Sequence, residues 1–132
     1  MISTRIRGGL GNQLFQYCAG RALALRHGVD LSLDLRDYDG PNAFSFGLGH
    51  FNVQTVPAER LPAGREDGVF GALAKVVKGG VLRTYREAKL GYDARFGALG
   101  DETHLKGYWQ SERYFLDHED QIRSDLQIVA EP

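Results

Sequence analysis

The sequence predicts an α/β fold built on a parallel sheet, and three observations carry that prediction. Ile2, Thr4 and Ile6 alternate with Ser3, Arg5 and Arg7, the period of two that marks a strand. Leu14, Cys18, Ala22 and Leu25 then recur at helical spacing until Gly28 ends the run. Leu31, Leu33 and Leu35 alternate with Ser32 and Asp34, which reads as a second strand over residues 30–35. Strand, helix and strand in such short order make a βαβ unit, whose two strands lie parallel.

Between the first strand and the helix, Gly8, Gly9 and Gly11 give a tight turn where backbone can approach a ligand. Free N–H groups at the start of that helix favour an anion. Asn12 is placed to cap the helix, and Gly20 within it implies close approach of another segment. Phe15 and Tyr17 fall on different sides, so protein should cover much of the helix circumference. Residues 37–68 are rich in Gly, Pro, Asn and Asp and read as a long irregular connection, with one short strand at 50–56. Residues 69–77 suit a short helix closed by Gly79-Gly80, and 81–85 a further strand. Residues 104–108 suit another strand, running into Trp109-Gln110-Ser111. Helical spacing returns from Ser111 or Asp117, with Ile122 and Leu126 four apart, and the apolar run 128–132 could open one more strand. There is no repeat or linker, so residues 1–132 read as a single domain.

Composition excludes several function classes. Sixteen basic residues against seventeen acidic ones leave a net charge of -1, a poor match to generic nucleic-acid binding. No apolar run is long enough for a membrane helix, and the first strand begins without a signal pattern, so a cytoplasmic location is expected. Cys18, the single cysteine, sits on the apolar helix face as a core residue, and no internal disulfide can form. His27, His50, His104 and His118 show no metal-ligand spacing. The glycine turn matches half of a dinucleotide fingerprint, with Leu14 where the third glycine should stand and Asp34 available for a ribose. A P-loop fails, because no Gly-Lys-Ser/Thr follows. On spacing alone, a ligand site and a merely sharp turn are about level. Asp37-Tyr38-Asp39 has the pattern of a divalent-cation site, although acidic pairs in loops are more often simply solvated.

Two longer blocks narrow the reading. Gly8-Gly9-Leu10-Gly11-Asn12-Gln13-Leu14-Phe15-Gln16-Tyr17, followed by Gly20-Arg21-Ala22-Leu23-Ala24, resembles the N-terminal signature of the α-1,2-fucosyltransferases of glycosyltransferase family 11. Gly107-Tyr108-Trp109-Gln110-Ser111-Glu112-Arg113-Tyr114-Phe115 is similar to that family's Gly-Tyr-Trp-Gln-Ser-Glu block. The blocks fall in the family's order, and Leu33-Asp34 is also in keeping.

The resemblance implies inverting transfer of L-fucose from GDP-L-fucose to the 2-hydroxyl of a β-galactoside, in glycan or polysaccharide synthesis. It implies the N-terminal half of a GT-B type protein, in which two Rossmann-like halves face a cleft. It also implies no metal, and no cofactor besides the donor substrate. The partners are then a nucleotide sugar and a β-galactoside, with peripheral membrane contact through glycolipid substrates and no nucleic acid. Carried onto this chain, donor binding falls to Arg7, Gly9, Gly11, Asn12 and Gln13. Acceptor binding falls to Tyr108, Trp109 and Gln110, whose flat rings and amide suit sugar C–H faces and hydroxyls. Tyr114 and Phe115 read as packing.

The family's later His-x-Arg-x-x-Asp-type motif, whose arginine neutralises the donor phosphates, does not occur here. The resemblance therefore implies the N-terminal part of a longer two-domain enzyme, the linker falling near residue 132. Asp34, Asp37, Asp39 and Glu112 are formal candidates for a general base, and the sequence chooses none of them. The alternative is a non-catalytic nucleotide- or sugar-binding Rossmann-like module.

Overall fold

The computed structural model describes residues 1–38, 46–57, 61–62 and 81–129. Its strands are β1 Ile2–Arg5, β2 Leu31–Asp34, β3 Leu61–Pro62, β4 Val81–Arg86 and β5 Thr103–Lys106. The described α-helices are α1 Leu10–His27 and α2 Glu119–Asp125. The strands form one sheet in the order β2-β1-β5-β4-β3, and every pairing is parallel. This is the α/β, Rossmann-like arrangement that the βαβ pattern predicts. Register sets Ile2 beside Leu31 and Ser3 beside His104, so β1 lies at the centre between β2 and β5.

The chain leaves β1 towards β2, whereas β3, β4 and β5 step back from the far edge to the other side of β1. Strand order therefore reverses between β1 and β5. In open parallel sheets the crevice beyond the carboxyl ends of such a pair is where ligands bind. The glycine turn follows β1 and the Gly107 to Gln110 segment follows β5, so both sequence blocks meet at that crevice.

Helix α1 packs its apolar side on β1 and β2. A Cβ at Gly20 would lie 3.0 Å from Thr4 Cγ2 and from Leu31 Cδ1, so a side chain there would push helix and sheet apart. Gly28 ends the helix in the left-handed region at φ 64, its N–H donating to Ala24 O and Leu25 O. Ile2, Ile6, Leu31 and Leu105 from the sheet meet Tyr17, Ala19 and Leu23 from α1 in a buried core that also takes Leu48, Phe96 and Trp109. Burial of each large side chain stabilises the fold by about 1.5–3 kcal/mol. It also pushes the Cys18 thiol up to about 12, leaving it a protonated core residue.

Helix α2 is tied to α1 by a buried carboxylate. Asp125 accepts from Tyr17 Oη at 2.8 Å, from Arg21 Nε at 2.7 Å and from Gln121 Nε2 at 3.1 Å.

Several expected elements differ. Asn12 is not the cap of α1: Gly9 holds that position, and no side chain caps it. Residues 50–56 form no strand, because Phe51 makes a lone antiparallel bridge to Ile128 while Val56 N reaches Leu31 O instead. β5 stops at Lys106, earlier than expected, since Trp109 turns the backbone to φ 55. A further turn, Ala94–Ala98, has no counterpart in the sequence pattern. The helix expected at 69–77, with Gly79-Gly80, lies outside the described residues, as do residues 130–132.

Candidate functional site

The glycines of the first turn serve different ends. Gly8 sits at φ 84, and a Cβ there would approach Asn12 Nδ2 to 2.9 Å, so the backbone itself requires glycine. Gly9 is extended, with φ -78, and Gly11 is helical; a Cβ on either would meet nothing within 4 Å. Neither glycine is explained by backbone strain or packing, and glycine within a helix costs up to about 1 kcal/mol relative to alanine. The space they leave clear lies outside the protein.

Side chains pin this turn from behind. Gly8 O accepts from Gln13 Nε2 at 3.0 Å and from Tyr38 Oη at 2.8 Å. Gln13 Oε1 accepts from Gly47 N at 2.8 Å, and Gln16 Oε1 from Arg7 N at 3.0 Å. The first bond closing the helix runs from Gln13 N to Gly9 O, so the amides of residues 10–12 precede it. No acidic residue stands in that first turn. Preorganised N–H donors at a helix start, with no internal anion against them among the described residues, suit an oxyanion or a phosphate.

Gln16 also joins the two walls, donating through Nε2 to Gly107 O at 3.1 Å. Across the crevice Gln110 Nε2 donates to Asn12 Oδ1 at 2.7 Å. The structure thus brings together Arg7, Gly9, Gly11 and Asn12 on one side, with Gln110 and the half-buried Tyr108 on the other.

Two expected contact residues are turned elsewhere. Gln13 is fully buried with both ends of its amide committed, so it shapes the turn and does not reach a ligand. Trp109 is fully buried as well, stacked on Tyr85 at 5.9 Å and packed against Phe96 and Tyr114. Its indole offers the crevice no open face. Tyr114 is buried and Phe115 meets Phe15 at 6.3 Å, the packing roles expected of them.

Charges at the ends of β1 and β2 are largely paired. Arg5 holds Asp37 through Nε at 2.8 Å and its second nitrogen at 2.9 Å, which keeps that carboxyl below the usual carboxylate range. A carboxylate so held is a weak base. Arg36 Nε reaches both oxygens of Asp34, at 3.1 and 3.0 Å, so the acid that a dinucleotide site would offer to a ribose is engaged. Buried His104 lies 3.6 Å from the same carboxylate and 3.0 Å from Ser3 Oγ. The Arg7 guanidinium makes no ion pair at contact distance among the described residues, although its charge helps to hold Asp37 ionised. Glu112 is exposed at the start of the turn Glu112–Tyr114, and Asp39 lies outside the described residues. Among the described residues no group of His, Cys, Asp or Glu could hold a metal ion, and no helix is long and apolar enough to cross a membrane.

Gln16 and Tyr38 were missed as parts of the site. Gln13 and Gln16 stand three apart on a helix face that is otherwise apolar, and that spacing was the available signal.

Compared with known proteins, the chain is similar to an alpha-1,2-colitosyltransferase of Escherichia coli, 29% identical over 126 residues. The match covers 93% of this chain and 43% of the relative, so the chain spans less than half the relative's length. No protein-family model matches the chain, and no solved structure matches it.

Proposed function

We propose that this chain forms the donor-side wall of a glycosyltransferase that uses a nucleotide sugar. The observation that carries the proposal is Gly11, open to the outside with no strain or packing to require it, beside the open cap residue Gly9, the helix-start amides and Arg7. The similarity to a colitosyltransferase supports sugar transfer over dinucleotide chemistry, and so does the engaged carboxylate of Asp34.

In its finer form the reaction is inverting transfer of L-fucose from GDP-L-fucose to the 2-hydroxyl of a β-galactoside. The acceptor oxygen attacks C1 of the sugar as the bond from C1 to the diphosphate oxygen breaks. The acceptor proton leaves to a base, and GDP departs with the electron pair. Charge grows on the diphosphate while the sugar gains oxocarbenium character. The amides of residues 10–12 and Arg7 face the first demand, stabilising the leaving group. Tyr108 and Gln110 face the second, holding the acceptor in line. This reading uses no metal and no cofactor, and places the enzyme in the cytoplasm with glycolipid acceptors at a membrane. On this reading the opposite wall comes from sequence beyond the 43% of the relative that the match covers.

Colitose is L-fucose without its 3-hydroxyl, and the relative's name favours it as a second donor. A site that hydrogen-bonds that hydroxyl rejects the deoxy sugar strongly; an apolar one barely distinguishes them. The test is saturation-transfer NMR on this chain with GDP-L-fucose, GDP-colitose and NAD, which detects weak contacts. Signals from the ribose and from the sugar near C1 are expected, and they should vanish in Gly11→Val. Equal signals in Gly11→Val, or saturable binding of NAD alone, would overturn the proposal.

A further inference from the structure

We propose that Glu87 is a positioning residue, whose carboxylate fixes the turn after β5 in the shape that lets Gln110 close on Asn12. The consequence for acceptor binding rests on the transferase reading above; the geometry does not.

Glu87 follows the last residue of β4 and extends its ladder by one bond, from Glu87 N to Lys106 O at 3.0 Å. Its side chain then turns to the neighbouring segment. Oε1 accepts from Tyr108 N at 3.0 Å and Oε2 from Trp109 N at 3.2 Å, so both carboxylate oxygens are spent on successive backbone amides. Bonds to a charged acceptor are stronger than neutral ones and fix direction. The fit is close: a Cβ at Gly107 would lie 2.5 Å from Glu87 Cβ and 3.0 Å from the indole of Trp109.

What this grip holds is costly. Trp109 has φ 55, a region that bulky side chains avoid, and its buried Nε1 has no hydrogen-bond partner among the described residues. Strain of this kind persists only where surrounding contacts impose it, and it collects at functional sites. The next residue shows what it achieves. Gln110 emerges from the strained turn with its amide 2.7 Å from Asn12 Oδ1, linking the two walls of the crevice. Without the carboxylate, Trp109 can relax towards negative φ, and Gln110 then leaves Asn12.

Trp109 is the single tryptophan of the chain, so its fluorescence reports on this turn alone. Glu87→Gln keeps the shape but sets an NH2 group against a backbone N–H. Red-shifted and more readily quenched emission is expected, with cooperative unfolding retained, and Glu87→Asp should recover part of the wild-type signal. Unchanged emission in folded Glu87→Gln would overturn the proposal. In the same variant, lactose binding should weaken about tenfold, as for one lost hydrogen bond, while GDP-L-fucose binding holds. Equal weakening of both ligands would reduce Glu87 to a general structural role and also overturn it. The indole signal decides for or against Glu87 whether or not the wild-type chain binds either probe, so failure of the transferase reading stays distinguishable from failure of this one.

Discussion

The two turns that wall the crevice look alike in sequence and work in opposite ways. Each follows a parallel strand, opens on glycine and continues into amide and aromatic side chains. In the turn after β1 the amides of residues 10–12 stand at an exposed helix start, and Gly9 and Gly11 leave space outside the protein. In the turn after β5 the amides of Tyr108 and Trp109 point inward to Glu87, and Gly107 leaves space inside, for that side chain and the indole. On the proposed reading the first wall receives an external anion, whereas the second has supplied its own. A glycine-rich strand end therefore marks a close approach without saying whether protein or ligand makes it.

The comparison breaks most visibly at Gly107. Alanine there would set its Cβ against Glu87 Cβ, which cannot swing aside, and against a ring packed between Tyr85, Phe96 and Tyr114. We expect Gly107→Ala to lose about 3 kcal/mol in urea unfolding, the upper end for overpacking. A loss within experimental error would show that the inner space is slack and that this glycine, too, serves the outside.

The next largest effect belongs to Arg7. If the first wall receives a diphosphate, Arg7→Ala removes a charge-assisted contact worth about 2 kcal/mol, or roughly a thirtyfold loss of affinity for GDP-L-fucose. Stability should change little, since the guanidinium makes no contact ion pair among the described residues and Asp37 keeps its stronger partner, Arg5. The loss should also shrink at high salt, as exposed charges are screened. Unaltered affinity at low salt would remove Arg7 from the donor site.

The fold was legible because alternation marks the strands, although the faces of Ser3 and Ser32 are buried as fully as those of Ile2 and Leu31. Ile2, Thr4 and Ile6 alternate, and Gly20 costs the helix stability, because β1 and α1 press together there. The position of the crevice followed from the βαβ unit once β5 was set beside β1, a long-range pairing with no local signal. The site was half legible. Gly11 announces itself by lacking an internal reason, but the direction of a side chain depends on what surrounds it in space. Gln13 reads as a polar residue at a helix start and is buried as a strap. Trp109 reads as a sugar platform, and a backbone turn that no sequence pattern marks accompanies its burial in the core. Asn12 reads as a cap and serves as a link between walls.

The smallest expected effect separates the two walls most cleanly, because it has the opposite sign. Gly11 lies in the first turn of α1, where alanine would be a better helix former and its Cβ would meet nothing within 4 Å. Gly11→Ala should therefore stabilise the chain by about 0.5–1 kcal/mol, against the loss at Gly107. The same methyl group would stand where the diphosphate is to approach, so GDP-L-fucose binding should weaken as stability rises. Gain of stability with loss of binding is what a glycine kept for a ligand predicts. Gain of stability with binding intact would mean that the first turn is open for no functional reason. A loss of stability would mean that Gly11, like Gly107, serves a neighbour within the protein.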